Sequence, residues 1–212
     1  SLGRRLTSVQ TTPLMRSVTM FSLAAGVVLL WSANLSKADG RLYVTFIDVG
    51  QGDAIFIQTP QGHQVLIDGG RDSEKLLQTL GERMPFWDRS LDIVVVSHSH
   101  EDHIGALPEV LRRYRVAAVL DNPYPFYSVA RMEFLSLVEA NQLIHLQANQ
   151  GQVIQLGEGV SMEVLNPPQP LMGGTHSDVD NNSTVIRLVY GDTSFLLTGD
   201  LGRQGELSLM DR

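Results

Sequence analysis

Apolar and polar positions divide the chain into short elements of alternating type. Period-two alternation and short apolar runs predict strands, whereas apolar positions three or four residues apart predict helices. Strands are predicted at 42–47, 54–58, 64–67, 93–96, 116–120, 153–155, 160–165, 184–190 and 193–197. Helices are predicted at 73–84, 104–114, 127–142 and 202–210. Because strands and helices interleave, with hairpins at the start and near the end, we expect an α/β fold of mixed sheets with helices outside.

The segment 17–36 differs from the rest of the chain because it carries no charged side chain. Twenty helical residues extend about 30 Å, which is close to the thickness of the hydrocarbon core of a bilayer. Three arginines precede the segment, and the positive-inside rule therefore places residues 1–16 in the cytoplasm. The sequence predicts a basic cytoplasmic flank (1–16), a single membrane-spanning helix (17–36), a linker (37–40) and an extracytoplasmic domain (41–212).

Two other interpretations of this apolar segment stay open. Ser36, Lys37 and Ala38 have the small-x-small form of a signal-peptidase site, so a cleaved secretory signal is one alternative. Several serines make the segment only moderately apolar, so a buried core helix is the other. The chain begins with Ser1, and we expect it to be a piece of a longer protein.

Composition narrows the chemistry that is available to the domain. The chain has no cysteine, which excludes disulfides, cysteine-ligated zinc, iron–sulfur clusters and thiol nucleophiles. The formal net charge is −7, and the first forty residues hold four basic residues against one acidic residue. The remainder is therefore strongly acidic, which argues against binding nucleic acid by bulk electrostatics.

One cluster of titratable side chains dominates the sequence. His98, His100, Asp102 and His103 follow directly on the strand predicted at 93–96 and precede a helix. A loop at the end of a strand is held rigidly and can direct several side chains to one point. Imidazole and carboxylate ligands without thiolate suit Zn²⁺, Mn²⁺ or Fe²⁺. Four such ligands are too many for one compact site with an open position, so the spacing predicts two metal ions.

Two further aspartates end apolar strands. Asp200 follows a Leu-Leu-Thr-Gly run and is a candidate metal bridge, with capping of the helix at 202–210 as the alternative. Asp68 follows the strand at 64–67 and is a candidate acceptor that orients the metal-binding loop. The glycine-rich turn at 48–53 lacks the lysine and the helix of a phosphate-binding P-loop.

The strings at 48–53, 67–70, 98–103 and 198–200 together resemble the metallo-β-lactamase superfamily. The resemblance covers about 41–212. Within the superfamily, the combination is similar to the ComEC type, the soluble hydrolase domain of the bacterial competence channel for DNA uptake. The resemblance implies a four-layer αββα sandwich, in which two mixed sheets face each other with helices outside.

The resemblance also implies two divalent metal ions, Zn²⁺ or Mn²⁺, and no small organic cofactor. The ligands that it implies are His98, His100, Asp102, His103 and Asp200. The first two would hold one metal, the next two would hold the other, and Asp200 would bridge them. Asp102 would be the catalytic ligand that positions the nucleophilic hydroxide, and Asp68 would orient the loop.

The sequence departs from the superfamily pattern in two places. Most members have a third histidine on the first metal, where this chain resembles the asparagine-rich stretch of the ComEC type. Asn181 and Asn182 are therefore candidates to line the site, with His176 as a further candidate. Most members also have a last histidine well after the Gly-Asp pair. These 212 residues lack it, so we expect the second metal site and the domain to be incomplete in this piece.

The function that the resemblance implies is a metal-dependent hydrolase, a nuclease-like phosphodiesterase on the outer side of the bacterial inner membrane. Its partners would be DNA as substrate, the membrane through residues 17–36, and the rest of a polytopic channel protein. Two alternatives stay open. One is a non-catalytic module that binds DNA or channel partners and keeps a relic metal site, and the other is a secreted hydrolase of another phosphoester.

Overall fold

The computed structural model describes residues 21–22 and 40–211 of the chain. Backbone contacts divide the chain into two compact units, Ser1–Lys37 and Ala38–Arg212. The predicted basic flank, membrane span and linker lie almost entirely outside the described residues. In the part of the chain that is described, no helix combines the length and the apolar character needed to cross a bilayer.

Ten strands and six helices follow one another in residues 40–211. The strands are β1 (Tyr43–Phe46), β2 (Ile55–Gln58), β3 (Gln64–Ile67), β4 (Ser90–Val95), β5 (Arg115–Asp121), β6 (Ile144–Gln147), β7 (Val153–Gln155), β8 (Val160–Asn166), β9 (Val185–Tyr190) and β10 (Thr193–Leu197). The helices are α1 (Ser73–Arg83), α2 (Glu101–Ile104), α3 (Leu107–Arg113), α4 (Val129–Ala140), α5 (Asp178–Asn181) and α6 (Arg203–Met210).

The strands form two sheets. The larger sheet has the order β1-β2-β3-β4-β5-β6, in which β1 to β3 pair antiparallel and β3 to β6 pair parallel. The smaller sheet has the order β10-β9-β8-β7 and is antiparallel throughout. Only the larger sheet is therefore mixed, whereas two mixed sheets were expected.

Alternate side chains of the larger sheet enter two different apolar cores, because successive residues of a strand point to opposite faces. Phe56 and Leu66 point to the face that α1, α3 and α4 cover. Ile57 and Val65 point to the opposite face, where they meet side chains of the smaller sheet such as Met162. Beyond the smaller sheet, α6 contacts β8. The molecule is thus a layered α/β sandwich, as the sequence predicted.

Two elements differ from the sequence-based expectation. The strand β6 was not predicted: its four residues, Ile-His-Leu-Gln, alternate between apolar and polar, but the run is short, directly follows the predicted helix 127–142, and has all its side chains exposed. It forms by parallel pairing with β5. The helix predicted at 104–114 is two helices, α2 and α3. Pro108 lies in the first turn of α3, where its missing N–H costs no helical hydrogen bond.

Candidate metal centre

The loop after β4 begins where the two sheets meet. The carbonyl oxygen of Ser97 accepts hydrogen bonds from the backbone N–H of Thr184 at 2.7 Å and from Nδ2 of Asn122 at 2.8 Å. Thr184 directly precedes β9 of the smaller sheet, and Asn122 follows β5 of the larger sheet. These bonds fix the start of the loop to both sheets, so the side chains that follow stand on a rigid base.

Asp68, which follows β3, holds both ends of this loop. Its carboxylate is buried, and its backbone has the unusual φ of 56°. Oδ1 accepts from the backbone N–H of Ser97 at 2.8 Å, and Oδ2 accepts from the Ser97 hydroxyl. Oδ2 also lies 2.9 Å from Nδ1 of His103. One buried carboxylate therefore links the first residue of the loop to its last histidine.

The three histidines of the loop turn toward one another. The ring centroids of His98 and His103 are 4.1 Å apart, and those of His98 and His100 are 4.8 Å apart. Nε2 of His98 lies 3.1 Å from Nδ1 of His100. His98 and His103 are buried, whereas His100 is partly open to solvent. The histidines thus form one cluster and are not separately solvated.

Asp200 reaches this cluster from the loop after β10. Its Oδ1 lies 3.3 Å from Nε2 of His103, and its Oδ2 lies 4.0 Å from Nε2 of His98. Gly199 makes the approach possible, because its φ is +51° and an added Cβ would lie 2.9 Å from Cβ of Ser97. Helix α6 has no side-chain cap, so the alternative role of Asp200 as a helix cap is wrong.

A carboxylate that sequence reasoning did not single out lies beside the same histidines. Oδ1 of Asp180, in α5, lies 3.2 Å from Nδ1 of His100 and 3.9 Å from Nε2 of His98. Its only signal in the sequence was its position next to the candidate Asn181. A sequence does not tell which of several polar side chains in one turn points inward.

The donor atoms form two overlapping groups, and Nε2 of His98, which belongs to both, can bind only one metal ion. One group is His98, His100 and Asp180, and the other is His98, His103 and Asp200; within each group the ligand atoms lie within 4.8 Å of one another. Ligands bound to one metal at about 2.1 Å are up to about 4.2 Å apart. The measured nitrogen–nitrogen and nitrogen–oxygen separations of 3.1–4.0 Å fall inside that limit. Mixed imidazole and carboxylate donors suit zinc, manganese or iron.

Asp102 belongs to neither of these groups of described residues. It lies in α2 and is partly exposed. The glycine-rich turn packs directly on its backbone, because a Cβ on Gly52 would lie 1.5 Å from the carbonyl oxygen of Asp102. The role of Asp102 as a ligand of the second metal stays a prediction.

The side chains suggested in place of a third histidine are engaged elsewhere or exposed. Oδ1 of Asn181 accepts from the backbone N–H of Gly205 at 2.9 Å. Asn182 accepts from the backbone N–H of Met172 at 2.8 Å and donates to its carbonyl oxygen at 2.9 Å. His176 is exposed before α5. None of the three candidates belongs to the two ligand groups found among residues 40–211, and their role at the site stays a prediction.

The two buried histidines have opposite electrostatic surroundings. Burial, together with the positive charge of His103, lowers the pKa of His98 to about 4. Burial also lowers the pKa of His103, but the hydrogen bond and the charge of Asp68 outweigh it and raise that pKa to about 9. Burial raises the pKa of Asp53 in the glycine-rich turn, although the charge of His103 opposes this effect. In the metal-free protein at pH 7, His98 is neutral and His103 is protonated.

We expect the metal-free domain to be most stable near pH 6.5, the ordinary pKa of an unfolded histidine. The raised pKa of His103 contributes stability that is complete below about pH 6.5 and is lost as the pH rises through about 9. The lowered pKa of His98 contributes stability above about pH 6.5 that is lost as the pH falls toward about 4. Urea unfolding with a chelator at acidic, near-neutral and alkaline pH measures both arms. An alkaline arm that survives in His103→Gln would contradict the assignment.

A loop with exposed aromatic side chains borders the histidines. The ring of Phe126 meets His100 edge-on, with 5.3 Å between the centroids. Oδ1 of Asn122, at the start of the loop, accepts from the backbone N–H of Tyr124 at 2.9 Å. Tyr127 is 87% exposed. The loop is therefore anchored at its start, contacts His100 through the partly buried Phe126 and exposes Tyr127 to solvent.

The fold has counterparts among known proteins. A family model described as the metallo-β-lactamase superfamily matches residues 47–212. A solved metallo-β-lactamase of Cronobacter sakazakii with a HARLDQ motif is similar with a TM-score of 0.50 and 18% sequence identity. The match covers 76% of this chain and 61% of that chain. At this identity the likeness concerns the fold alone.

Two curated relatives are competence proteins. ComE operon protein 3 of Bacillus subtilis is 30% identical over 185 residues, which covers 79% of this chain and 23% of the relative. Competence protein ComA of Neisseria gonorrhoeae is 29% identical over 171 residues, which covers 80% of this chain and 21% of the relative. The chain therefore spans less than a quarter of the length of these two relatives. Their names agree with the similarity that the motifs indicated.

Proposed function

Because the chain belongs to the metallo-β-lactamase superfamily, we propose that residues 41–212 form a metal-dependent hydrolase that cleaves phosphodiester bonds of DNA during competence. The names of the two competence relatives support the biological setting. The proposal places the domain outside the cytoplasm, held at the bacterial inner membrane by residues 17–36 and joined to the rest of a channel protein.

The observation that carries the proposal is the convergence of buried imidazoles on one carboxylate. Nε2 of His103 and Nε2 of His98 lie 3.3 Å and 4.0 Å from the two oxygens of Asp200. Nδ1 of His103 is bound to the carboxylate of Asp68, so Nε2 is the ring nitrogen that faces Asp200. A set of donors that is buried and oriented in this way favours an enzyme over a module with a relic site.

In this proposal, His98 and His100 would hold one cation, Asp102 and His103 would hold the other, and Asp200 would be a ligand available to either. When bound, such cations would supply the Lewis acidity that activates water near neutral pH and stabilises developing negative charge. The chain keeps the donors fixed and keeps His98 neutral, because burial lowers its pKa to about 4. A neutral imidazole is the form that binds a metal.

The arginines near the centre are not a free basic surface for DNA. Arg112 pairs with Glu109 at 3.3 Å and with Glu133, and Arg113 pairs with Glu109 at 2.5 Å. Proteins that bind duplex DNA tightly neutralise many phosphates with free lysine and arginine side chains. The proposal therefore assigns the basic path for DNA to other parts of the full protein.

The aromatic loop supports single-stranded DNA as the substrate. Unpaired bases stack on aromatic side chains, and this contact does not depend on the sequence of the strand. Tyr127 is open to solvent, and Phe126 of the same loop contacts the ring of His100. A strand stacked on this loop would bring its phosphates beside the histidine cluster.

The test is metal-dependent turnover by the full-length domain, purified alone and within its full-length protein. With Mn²⁺ or Zn²⁺ we expect cleavage of single-stranded DNA and of bis(p-nitrophenyl) phosphate. A chelator should abolish the activity and added metal should restore it, because the proposed reaction depends on metal ions held by these donors. Exposed Asp192 offers a matched control, and Asp192→Asn should keep the activity.

Other outcomes would replace the proposal with a named alternative. Stoichiometric metal without turnover of any phosphodiester would favour a non-catalytic module that binds DNA or channel partners. Turnover of other phosphoesters, with DNA left intact, would favour a secreted hydrolase of a different substrate. Absence of bound metal at normal folding would contradict the enzymatic function.

A further inference from the structure

The structure assigns Asp180 as the third protein ligand of the first metal, beside His98 and His100, where no third histidine joins the ligand group found among the described residues. The assignment rests on the proposed function, because it requires that the centre binds divalent cations. It adds a residue that motif spacing did not reveal, and it specifies the donor chemistry of one of the two metals.

The first support is the triangle of donor atoms. Nε2 of His98 and Nδ1 of His100 are 3.1 Å apart. Oδ1 of Asp180 lies 3.9 Å from the first nitrogen and 3.2 Å from the second. Three ligands of one cation, each about 2.1 Å from it, stand at such separations. The group is accessible to solvent, because the side chains of His100 and Asp180 are 35% and 27% exposed.

The second support is an unsatisfied buried oxygen. Oδ1 of Asp180 is buried and has no hydrogen-bond partner, although Nδ1 of His100 lies close to it. Buried carboxylate oxygens in folded proteins are almost always paired, because an unpaired one loses its hydration without compensation. A cation held between this oxygen and the two imidazoles would supply the missing partner.

The third support is that the backbone already holds Asp180 in place. The hydroxyl of Ser177 caps α5 and accepts from the backbone N–H of Asp180 at 3.4 Å. The next residue, Asn181, is anchored by its own side chain to the backbone N–H of Gly205 at 2.9 Å. The carboxylate is therefore presented to the histidines by a fixed turn, which lowers the cost of ordering it on binding.

Asp178, the other aspartate of α5, makes different contacts. The carboxylate of Asp178 accepts from the backbone N–H groups of Gly174 at 3.0 Å and Thr175 at 2.7 Å, and also from the Thr175 hydroxyl. Its oxygens are thus used to close the loop before α5. Of the two aspartates of this helix, only Asp180 has an oxygen left for a ligand.

The donor set has a consequence for metal choice. Two imidazoles and one carboxylate form a harder site than three imidazoles, and carboxylate oxygen suits Mn²⁺ and Fe²⁺. We expect the first site to accept Mn²⁺ readily and to shift toward Zn²⁺ when the carboxylate is replaced by a third imidazole. This prediction concerns metal binding and does not depend on turnover.

The test counts metals in the full chain and three variants, by calorimetric titration with Mn²⁺ and by metal analysis after dialysis. We expect two Mn²⁺ per full-length wild-type protein, and in Asp180→Asn a loss of at least about 10-fold in affinity at one site only, since loss of a partner one shell further out already costs about 10- to 100-fold. Asp180→His should again bind two metals, with a higher ratio of Zn²⁺ affinity to Mn²⁺ affinity than the wild type. Asp192→Asn, which removes an exposed charge, should match the wild type. Metal-free thermal melting should be nearly equal in all four proteins.

Two results would overturn the assignment, and they can be told apart. Two Mn²⁺ ions with unchanged affinities in Asp180→Asn would show that the third ligand comes from elsewhere, and the proposed function would stand. No Mn²⁺ or Zn²⁺ bound to the folded wild type would overturn both the assignment and the proposed function. If Asp180→Asn fails to fold, the metal count and the metal affinities of Asp180→His decide, and a ratio of Zn²⁺ to Mn²⁺ affinity equal to that of the wild type contradicts the assignment.

Discussion

Replacement of Asp68 by alanine is expected to lower the free energy of unfolding by about 3–5 kcal/mol, the range for breaking a buried, hydrogen-bonded charge pair. The carboxylate is 1% exposed and serves both Ser97 and His103. Its removal leaves a buried N–H, a buried hydroxyl and a buried imidazolium without their acceptor. Urea unfolding of the metal-free protein near pH 7 measures the loss.

The same substitution should also weaken metal binding. Without Asp68, the ring of His103 is free to rotate, and Nε2 is no longer directed at Asp200. Asp68→Asn keeps the size of the side chain and should lose less stability than the alanine variant. Asp192→Ala at an exposed turn should change stability by no more than about 0.5 kcal/mol. A loss below about 1 kcal/mol in Asp68→Ala would contradict the central place of this carboxylate.

Gly52→Ala is expected to lower the free energy of unfolding by at least about 3 kcal/mol, the upper end of the usual range for a single substitution. The residue has a φ of +87°, and left-handed backbone costs an alanine about 1–2 kcal/mol. The added Cβ would also lie 1.5 Å from the carbonyl oxygen of Asp102, a separation that forces the turn or α2 to move. Because His103 directly follows Asp102, metal affinity should fall together with stability.

Gly50 provides the matched control in the same turn. Its φ is +85°, but the nearest atom to an added Cβ is Nζ of Lys75 at 3.5 Å, an ordinary contact. Gly50→Ala should therefore show the cost of the left-handed backbone alone, about 1–2 kcal/mol. The difference between the two variants isolates the close approach to Asp102. Equal losses in both, by urea unfolding, would mean that the turn does not support the metal-binding loop.

The layered architecture could be predicted from the sequence because burial imposes a period on each strand. In β2 and β3, neighbouring apolar side chains such as Ile57 and Phe56 belong to different cores, and both had to be apolar. The edge strand β6 alternates over only four residues, all of them exposed, so only its pairing with β5 revealed it. A long apolar pattern indicates burial, whereas pairing at a sheet edge does not require burial of either face.

The residues of the candidate site also fall into two sets: those that the sequence reveals and those that only the fold reveals. His98, His100 and His103 are close in the sequence, so their clustering is visible before folding. Asp68 and Asp200 were visible as acids at strand ends, because strand ends position side chains well. Asp180, by contrast, follows no strand, and nothing in its neighbourhood distinguishes it from the adjacent Asn181.

By itself, the sequence determined the mixed α/β type, the absence of thiol chemistry and the chemical nature of the donor cluster, since these depend on composition, period and short spacing. Only the tertiary structure decided which acids face the imidazoles. Asp200 and Asp180 come from segments that are distant along the chain, and both lie within 4.0 Å of Nε2 of His98. The direction of a side chain in a turn is set by the packing of the two sheets and by backbone hydrogen bonds such as the one from the N–H of Thr184 to the carbonyl oxygen of Ser97. No local pattern encodes that packing.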